Sequence, residues 1–316
     1  MRKLVSVILP CYNAGQYLDA SIQSVLDQSW HNIELIIVDD GSTDNSTLVV
    51  RKYLSETVKL IEQENKGACA ARNIGLNISK GEFIQFLDAD DMLSPGKIEE
   101  QMLLLNNLDS SAVSTCKWQK FENHTNIYSG NDFAIFKDYD DPVNLLTEMW
   151  NAGEMMQTAV WLTPRALLLK AGKWDEALKI NQDGEYFCRV LLHANQVLFA
   201  NNGKVYYRSK ISGSITGDQS SREKANSLLN SYKSYAKNIL EVRDTTEIRS
   251  AITKHFYSFV YIYYNLFPDL VEEAASYITQ LGEFPAHQIG GQRFQKLTSL
   301  FGFWGALRFR EFIRNR

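Results

Sequence analysis

Over the first ~110 residues, short apolar runs alternate with longer stretches whose apolar positions recur every three to four residues. Residues 4–9, 33–38, 58–61 and 83–87 have the length and residue types of buried strands. Between them, residues 16–28 place Leu18, Ile22, Val25 and Leu26 on one face, and residues 46–54 and 68–78 also predict helices. Ser94 as N-cap and Pro95 at the first helical position predict a further helix to about residue 105. Strands alternating with helices require right-handed crossovers and a mostly parallel sheet with helices on both faces.

Farther along, residues 112–121 predict a strand, followed by a polar, aromatic-dotted insertion to Asp141 and a helix over 142–150. A mixed loop holding Met155, Met156 and Gln157 precedes a predicted strand over 158–162 and a short helix over 167–171. Asn181-Gln182-Asp183-Gly184-Glu185 heads a helix with Phe187, Val190 and Leu191 on its apolar face. Two more strands, 197–200 and 205–207, lead to a loop over 208–217 that carries Arg208 and Lys210. Beyond residue 221 the pattern is helical only, over 222–240, 246–264 and 270–281, ending in an amphipathic, basic stretch over 294–316. The expected division is an α/β domain over 1–220 and a helical C-terminal region over 221–316.

The chemistry concentrates where apolar runs end. Phe83-Ile84-Gln85-Phe86-Leu87 stops at Asp88-Ala89-Asp90-Asp91, and the second run ends in Asp39-Asp40. Carboxyl ends of parallel strands line the crevice where open α/β sheets bind ligands. Clustered carboxylates repel one another, so a site that keeps them is suited to a divalent cation that bridges to phosphate. This topology brings Tyr12, Asp39, Arg72 and Asp90 within reach of one ligand. No G-x-x-x-x-G-K-[ST] and no G-x-G-x-x-G after the first strand offers another phosphate cradle.

Composition narrows the field further. The 316 residues carry a formal net charge of -4, which argues against general nucleic-acid binding. No apolar run approaches the ~20 residues that cross a bilayer, and Met1-Arg2-Lys3 leads straight into a strand rather than a signal sequence. Cys11, Cys69, Cys116 and Cys188 lack metal-ligand spacing, as expected of reduced thiols in a cytoplasmic protein.

Four ordered motifs carry a resemblance. Val5-Ser6-Val7-Ile8-Leu9-Pro10-Cys11-Tyr12-Asn13, Val38-Asp39-Asp40-Gly41-Ser42-Thr43-Asp44, Asn65-Lys66-Gly67 with Ala71-Arg72-Asn73-Ile74-Gly75, and Leu87-Asp88-Ala89-Asp90-Asp91 resemble the family 2 glycosyltransferases. The likeness is unbroken over about residues 4–105 and thinner to about 210. It implies a GT-A fold, a nucleotide-sugar donor (UDP-sugar favoured), inversion at the anomeric carbon, and a glycan or lipid-linked acceptor. Residue by residue, it implies Pro10 and Tyr12 beside the nucleobase, Asp39 accepting the uracil imide hydrogen, and Arg72 near base and phosphates. Gly67 and Ala89 would line the donor, Asp88 would approach the ribose, and Asp90 would ligate Mn2+ or Mg2+. Asp183 is the expected general base. The acid that often precedes it in the family is Gln182 here, which makes Glu185 a rival.

Two other functions compete. A non-catalytic nucleotide-sugar sensor would keep the binding residues and need no base. A sugar nucleotidyltransferase would need a glycine-rich basic loop after the first strand, and Pro10-Cys11-Tyr12-Asn13 is not one. Asp91 is expected to hydrogen-bond within its loop, and Trp161 and Trp174 to serve packing. Arg308, Arg310, Arg314 and Arg316 beside Trp304 and several phenylalanines permit either packing on the chain or peripheral contact with the inner membrane surface.

Overall fold

The computed structural model describes residues 2–106, 108, 110–123, 126–127, 132–209, 221–286 and 289–314. Residues 210–217 of the expected loop and the last two residues of the basic tail lie outside that set. The chain forms two compact units: Met1–Leu145 with Met155–Ala177 and Gln182–Ser214, and Leu146–Glu154 with Leu178–Asn181 and Ile215–Arg316.

The first unit is built on β1 (Val5–Cys11), β2 (Ile33–Asp39), β3 (Val58–Glu62) and β4 (Phe83–Phe86), all mutually parallel. Helices α1 (Gly15–Leu26), α2 (Ser46–Arg51) and α3 (Ala68–Ile78) connect them in turn. Spatial order is β3-β2-β1-β4, so the path runs outward from β1 to β3 and then returns to the far side of β1. With right-handed crossovers, that reversal puts α3 on the face opposite α1 and α2. The switch point lies between β1 and β4, the place where such sheets hold ligands.

Burial explains the pattern of these strands. Every residue of β1 is buried, and so is every residue of β4, because both faces of the sheet are covered. Packing of α3 on β1 is close enough that a Cβ at Gly75 would meet Ile8 Cγ2 at 2.4 Å. Only glycine lets the helix backbone approach the sheet this far.

The sheet continues through β8 (Leu162–Pro164), β6 (Ala112–Asn123), β9 (Gln196–Arg208) and β5 (Met92–Leu93). β7 (Asn126–Ile127) pairs with β6. β6 and β9 are parallel, whereas β8 runs antiparallel to β4 and to β6. The remaining helices of this part of the chain are α4 (Lys97–Leu105), α5 (Pro142–Ala152), α6 (Arg165–Ala171) and α7 (Gln182–Leu191).

Three local expectations are corrected. Ser94 does not cap α4, which starts at Lys97; its hydroxyl accepts the Lys204 amide hydrogen at 2.9 Å and ties β9 to this turn. The strand expected over 158–162 is a 3-10 turn, Thr158–Val160, followed by β8, because Gln157 caps the turn by accepting from Ala159 N–H. The two strands expected over 197–207 are one: Cys116 pairs with Ala200 and Lys117 with Lys204, so residues 201–203 bulge out of β9. Glu100 holds that bulge by accepting the Asn202 and Gly203 amide hydrogens.

The second unit contains α8 (Arg222–Val242), α9 (Thr246–Tyr263), α10 (Pro268–Leu281) and α11 (Gln292–Arg314). Ser221 and Thr245 cap α8 and α9 by accepting from Lys224 and Ile248 N–H. Trp150 stacks on Tyr235 with ring centroids 5.1 Å apart and meets His255 edge-on, making an aromatic centre. No helix among the described residues is long and apolar enough to cross a membrane.

Candidate active site

The register of β1 with β2 and β4 puts the turns after all three strands on one edge of the sheet. Pro10 is buried within the last residues of β1, and Tyr12 just beyond the strand is 52% exposed, an aromatic ring presented outward rather than used as core. At the end of β2, Asp39 is buried and its Oδ2 accepts the Ser42 amide hydrogen at 3.0 Å. Its Oδ1 is buried without a hydrogen-bond partner. A carboxylate oxygen in that state is poised for a donor from outside the chain.

Asp40 does different work. Its two oxygens accept from Gln63 Nε2 and from the Lys66 and Gly67 amides, at 2.6, 2.7 and 2.8 Å. This fastens the 63–67 loop so that α3 starts at the site. Gly67 precedes α3 with φ of 93°, and a Cβ there would meet nothing within 4 Å. The conformation, not crowding, requires glycine.

Arg72 reaches inward from the first turns of α3 and is 5% exposed. Its Nη2 donates to Asp88 Oδ1 at 2.6 Å, its Nη1 to Gln182 Oε1 at 3.1 Å, and its guanidinium lies 4.6 Å from the Trp174 ring centroid. Gln182 thereby supplies an acceptor to this arginine without adding another negative charge. Trp174 is fixed in turn by Asn73, whose side chain bonds both its amide and its carbonyl, and by Tyr186 stacked at 4.0 Å. Trp161 stacks on Phe187 at 5.3 Å and is buried, so both tryptophans are packing residues. Arg72→Lys keeps the charge but loses the fork and the stacked plane. We expect it to lower stability by about 1–3 kcal/mol, since Asp88 retains partial solvent contact; chemical denaturation measures the change.

The acids after β4 are not equivalent. Asp91 is fully buried and satisfied, accepting from Gln157 Nε2 at 2.5 Å and from the Arg208 amide at 2.8 Å. Burial, then Asp90 and Asp88, push its carboxyl well above the usual range. Asp90 is half-buried, and among the described residues no other residue's side chain bonds its carboxylate. Burial first, and then the Asp88 charge, raise its pKa to about 6, partly offset by its own amide and the Arg208 charge. Ala89 is buried, and its carbonyl accepts from Ser21 Oγ at 2.7 Å, which holds the loop on α1.

These residues fit a hard divalent cation. Asp90 offers carboxylate oxygens that no other side chain among the described residues bonds, and a diphosphate would supply much of the remaining shell. Among the described residues no group of three metal-binding side chains exists, so the protein alone does not form a closed cage.

Asp183 sits in the first turn of α7 and is partly buried. Its Oδ2 lies 3.4 Å from Thr158 Oγ1. Burial raises its pKa, opposed by the Gly184 amide and by Arg72, and Asp88 adds to the rise. The rival Glu185 is only 4% exposed and gripped by Arg189, whose Nε and Nη2 donate to its two oxygens at 2.7 and 2.8 Å. It locks α7 to the turn after α6 through Arg189, which also bonds the Ala171 and Lys173 carbonyls.

Two participants escaped the reading of the sequence. Arg208, at the end of β9, donates from Nε to the Asp90 carbonyl at 2.9 Å and lies over Tyr17 and Phe121. Gln157 anchors Asp91 from 66 residues away. Neither contact has a local sequence signal. The buried thiols are not nucleophile candidates: burial pushes Cys11 up to about 12 and Cys69 and Cys116 to about 11.

Comparison with known proteins agrees with this layout. Residues 6–160 match the family described as Glycosyl transferase family 2. Glycosyltransferase GlyG of Streptococcus pneumoniae is 31% identical over 226 residues, covering 68% of this chain and 73% of that protein. An Escherichia coli UDP-Glc:alpha-D-GlcNAc-diphosphoundecaprenol beta-1,3-glucosyltransferase, WfgD, is 45% identical over 108 residues, 33% of this chain and 43% of its own. Several other curated relatives are matched over less than two thirds of their length. Among solved structures, S. aureus TarS 1-349 in complex with UDP-GlcNAc superposes with a TM-score of 0.70 at 19% identity, covering 89% of this chain and 82% of that one. The sheet described above is thus a GT-A-type fold, and the chain belongs to the family 2 glycosyltransferases.

Proposed function

We propose that this chain transfers one sugar from a nucleotide-sugar to a hydroxyl of a glycan or lipid-linked acceptor, with inversion and with a divalent cation. The observation that carries the donor half is buried Asp39 Oδ1, which has no hydrogen-bond partner, on the same sheet edge as the half-buried Asp90 carboxylate. Asp39 Oδ1 would accept the imide hydrogen of a uracil, with Pro10 and Tyr12 against the base. Gly67 leaves open space beside the nucleoside. Arg72 occupies one oxygen of Asp88 and leaves the other for a ribose hydroxyl.

Asp90 would hold Mn2+ or Mg2+ together with the diphosphate. When bound, the cation neutralises charge growing on the departing diphosphate. Arg72 adds a fixed positive charge on the same edge. Ala89, whose carbonyl is tied down, keeps Asp88 and Asp90 in place.

Asp183 would take the proton from the attacking acceptor hydroxyl. Its raised pKa makes it a better base than an ordinary aspartate, while the Gly184 amide keeps the ionised form accessible. One such base suits a single displacement, in which the hydroxyl oxygen bonds the anomeric carbon as the bond to phosphate breaks. The diphosphate then carries away the electron pair. Uridine is favoured through Asp39 and through the likeness to WfgD, which is named for a UDP-Glc donor.

A thermal-shift screen of UDP-, GDP- and dTDP-sugars with and without Mn2+ tests this reading, because a ligand that binds the folded chain raises its apparent stability. The expected result is stabilisation by a UDP-sugar that depends on the ion, with metal-stimulated release of UDP. No shift and no nucleotide release with any donor would overturn it.

A further inference from the structure

Helix α11 is apolar on both of its sides, and one of them stays largely exposed. Its inward residues Phe294, Thr298, Phe303, Ala306, Leu307 and Glu311 are buried. Phe294 and Phe303 meet Tyr261 and Tyr257 of α9 at centroid distances of 4.7 Å each. Arg310 belongs to that inner side as well, donating to the Tyr261 carbonyl and to Glu311. An ordinary surface helix would present polar residues on the opposite side.

Here the opposite side carries Leu300, Phe301, Trp304, Phe309, Phe312 and Ile313, with exposures of 75, 57, 39, 42, 55 and 56%. They form a patch rather than a scatter. The helix kinks at Gly302, whose φ is 68°, and the kink lets Phe301 stack on Phe309 at 5.9 Å across the break. Contiguous exposed aromatic and aliphatic surface marks an interaction site.

Charge identifies the occupant. The helix holds Arg293, Lys296, Arg308, Arg310 and Arg314 against a single acid, Glu311, which is buried. Arg310 and Arg314 both pair with Glu311, which leaves Arg293, Lys296 and Arg308 exposed with no acid on this helix left to offset them, on a chain of net charge -4. Arg308 follows Trp304 and precedes Phe312 at helical spacing, and all three are exposed. Aromatic and aliphatic side chains interleaved with arginine suit the headgroup boundary of an anionic bilayer.

We propose that the outward side of α11 is a docking surface for an anionic lipid bilayer, lying in the interface without crossing it. Such docking does not depend on the transferase activity, and its test needs no donor. The full chain is sedimented with vesicles of phosphatidylcholine alone or mixed with phosphatidylglycerol, at low and high salt. The expected result is binding to the anionic vesicles about tenfold stronger than to the neutral ones, weakened by salt. Phe301→Asp with Phe312→Asp should lower that binding by about tenfold while thermal unfolding stays unchanged, since both side chains are exposed. Should that variant fail to fold, Arg308→Glu provides the second reading, with reduced binding to anionic vesicles only. Equal partitioning of wild type and variants, or no vesicle binding, overturns the proposal. So does a wild-type dimer that the phenylalanine variant converts to monomer, which would assign the face to a second copy of this chain.

Discussion

Asp183→Asn should lower kcat by about 100- to 10,000-fold, the range expected for removing a positioned general base, while leaving donor binding within about twofold. The amide fits the same space, so the first turn of α7 and the Thr158 contact survive. What disappears is the ability to accept the hydroxyl proton. Glu185→Gln is the control. Its two oxygens already accept from Arg189, so its loss should reduce stability by about 1–3 kcal/mol and leave turnover nearly intact. A large loss of kcat in Glu185→Gln with little change in Asp183→Asn would reverse the two roles. A protein that only senses nucleotide-sugars would show no turnover in either.

Asp90→Asn should abolish metal-supported donor binding and yet make the ligand-free chain more stable. The carboxylate is half-buried next to Asp88 and Asp91, and its pKa is raised to about 6. A carboxyl whose folded pKa exceeds its unfolded value binds its proton more tightly when folded. Ionisation therefore costs stability as pH climbs through the window between the two values, from about 4 to about 6, and the cost is complete above that window. At pH 7.5 the neutral amide should thus stabilise the apo chain by about 1–3 kcal/mol, and the advantage should shrink as pH falls toward 4. Thermal unfolding of both forms across that range measures it. An Asp90→Asn chain that melts no higher than wild type at pH 7.5 would mean that the acid cluster is already compensated within the protein.

The donor edge of this fold was legible because its signals are local. An apolar run that ends in acids shows the strand and the end where its acids gather, and the parallel register leaves Asp39, Asp88 and Asp90 on one edge of the sheet. Glu185 could have been read as structural from the sequence, since Arg189 follows at the i,i+4 spacing that pairs charges on a helix.

Other features depend on partners that only tertiary folding supplies. Ser94 has the composition of a helix cap, but Lys204 claims its hydroxyl. The 201–203 segment looks like a turn between strands because its residues are polar, yet β6 runs through beside it and makes it a bulge. Gln182 reads as a lost acid until Arg72, 110 residues earlier, is seen to need only an acceptor. Arg208 and Gln157 carry no pattern at all; their importance lies in fixing Asp90 and Asp91 from distant elements.

The central claim is a division of labour: the acids after β4 hold the donor and Asp183 serves the acceptor. Calorimetric titration of UDP with Mn2+ into wild type, Asp90→Asn and Asp183→Asn tests it most directly. The account predicts ion-dependent binding to wild type, loss in Asp90→Asn, and unchanged affinity in Asp183→Asn. Equal binding by both variants, or affinity for UDP in wild type that is indifferent to the ion, would contradict it.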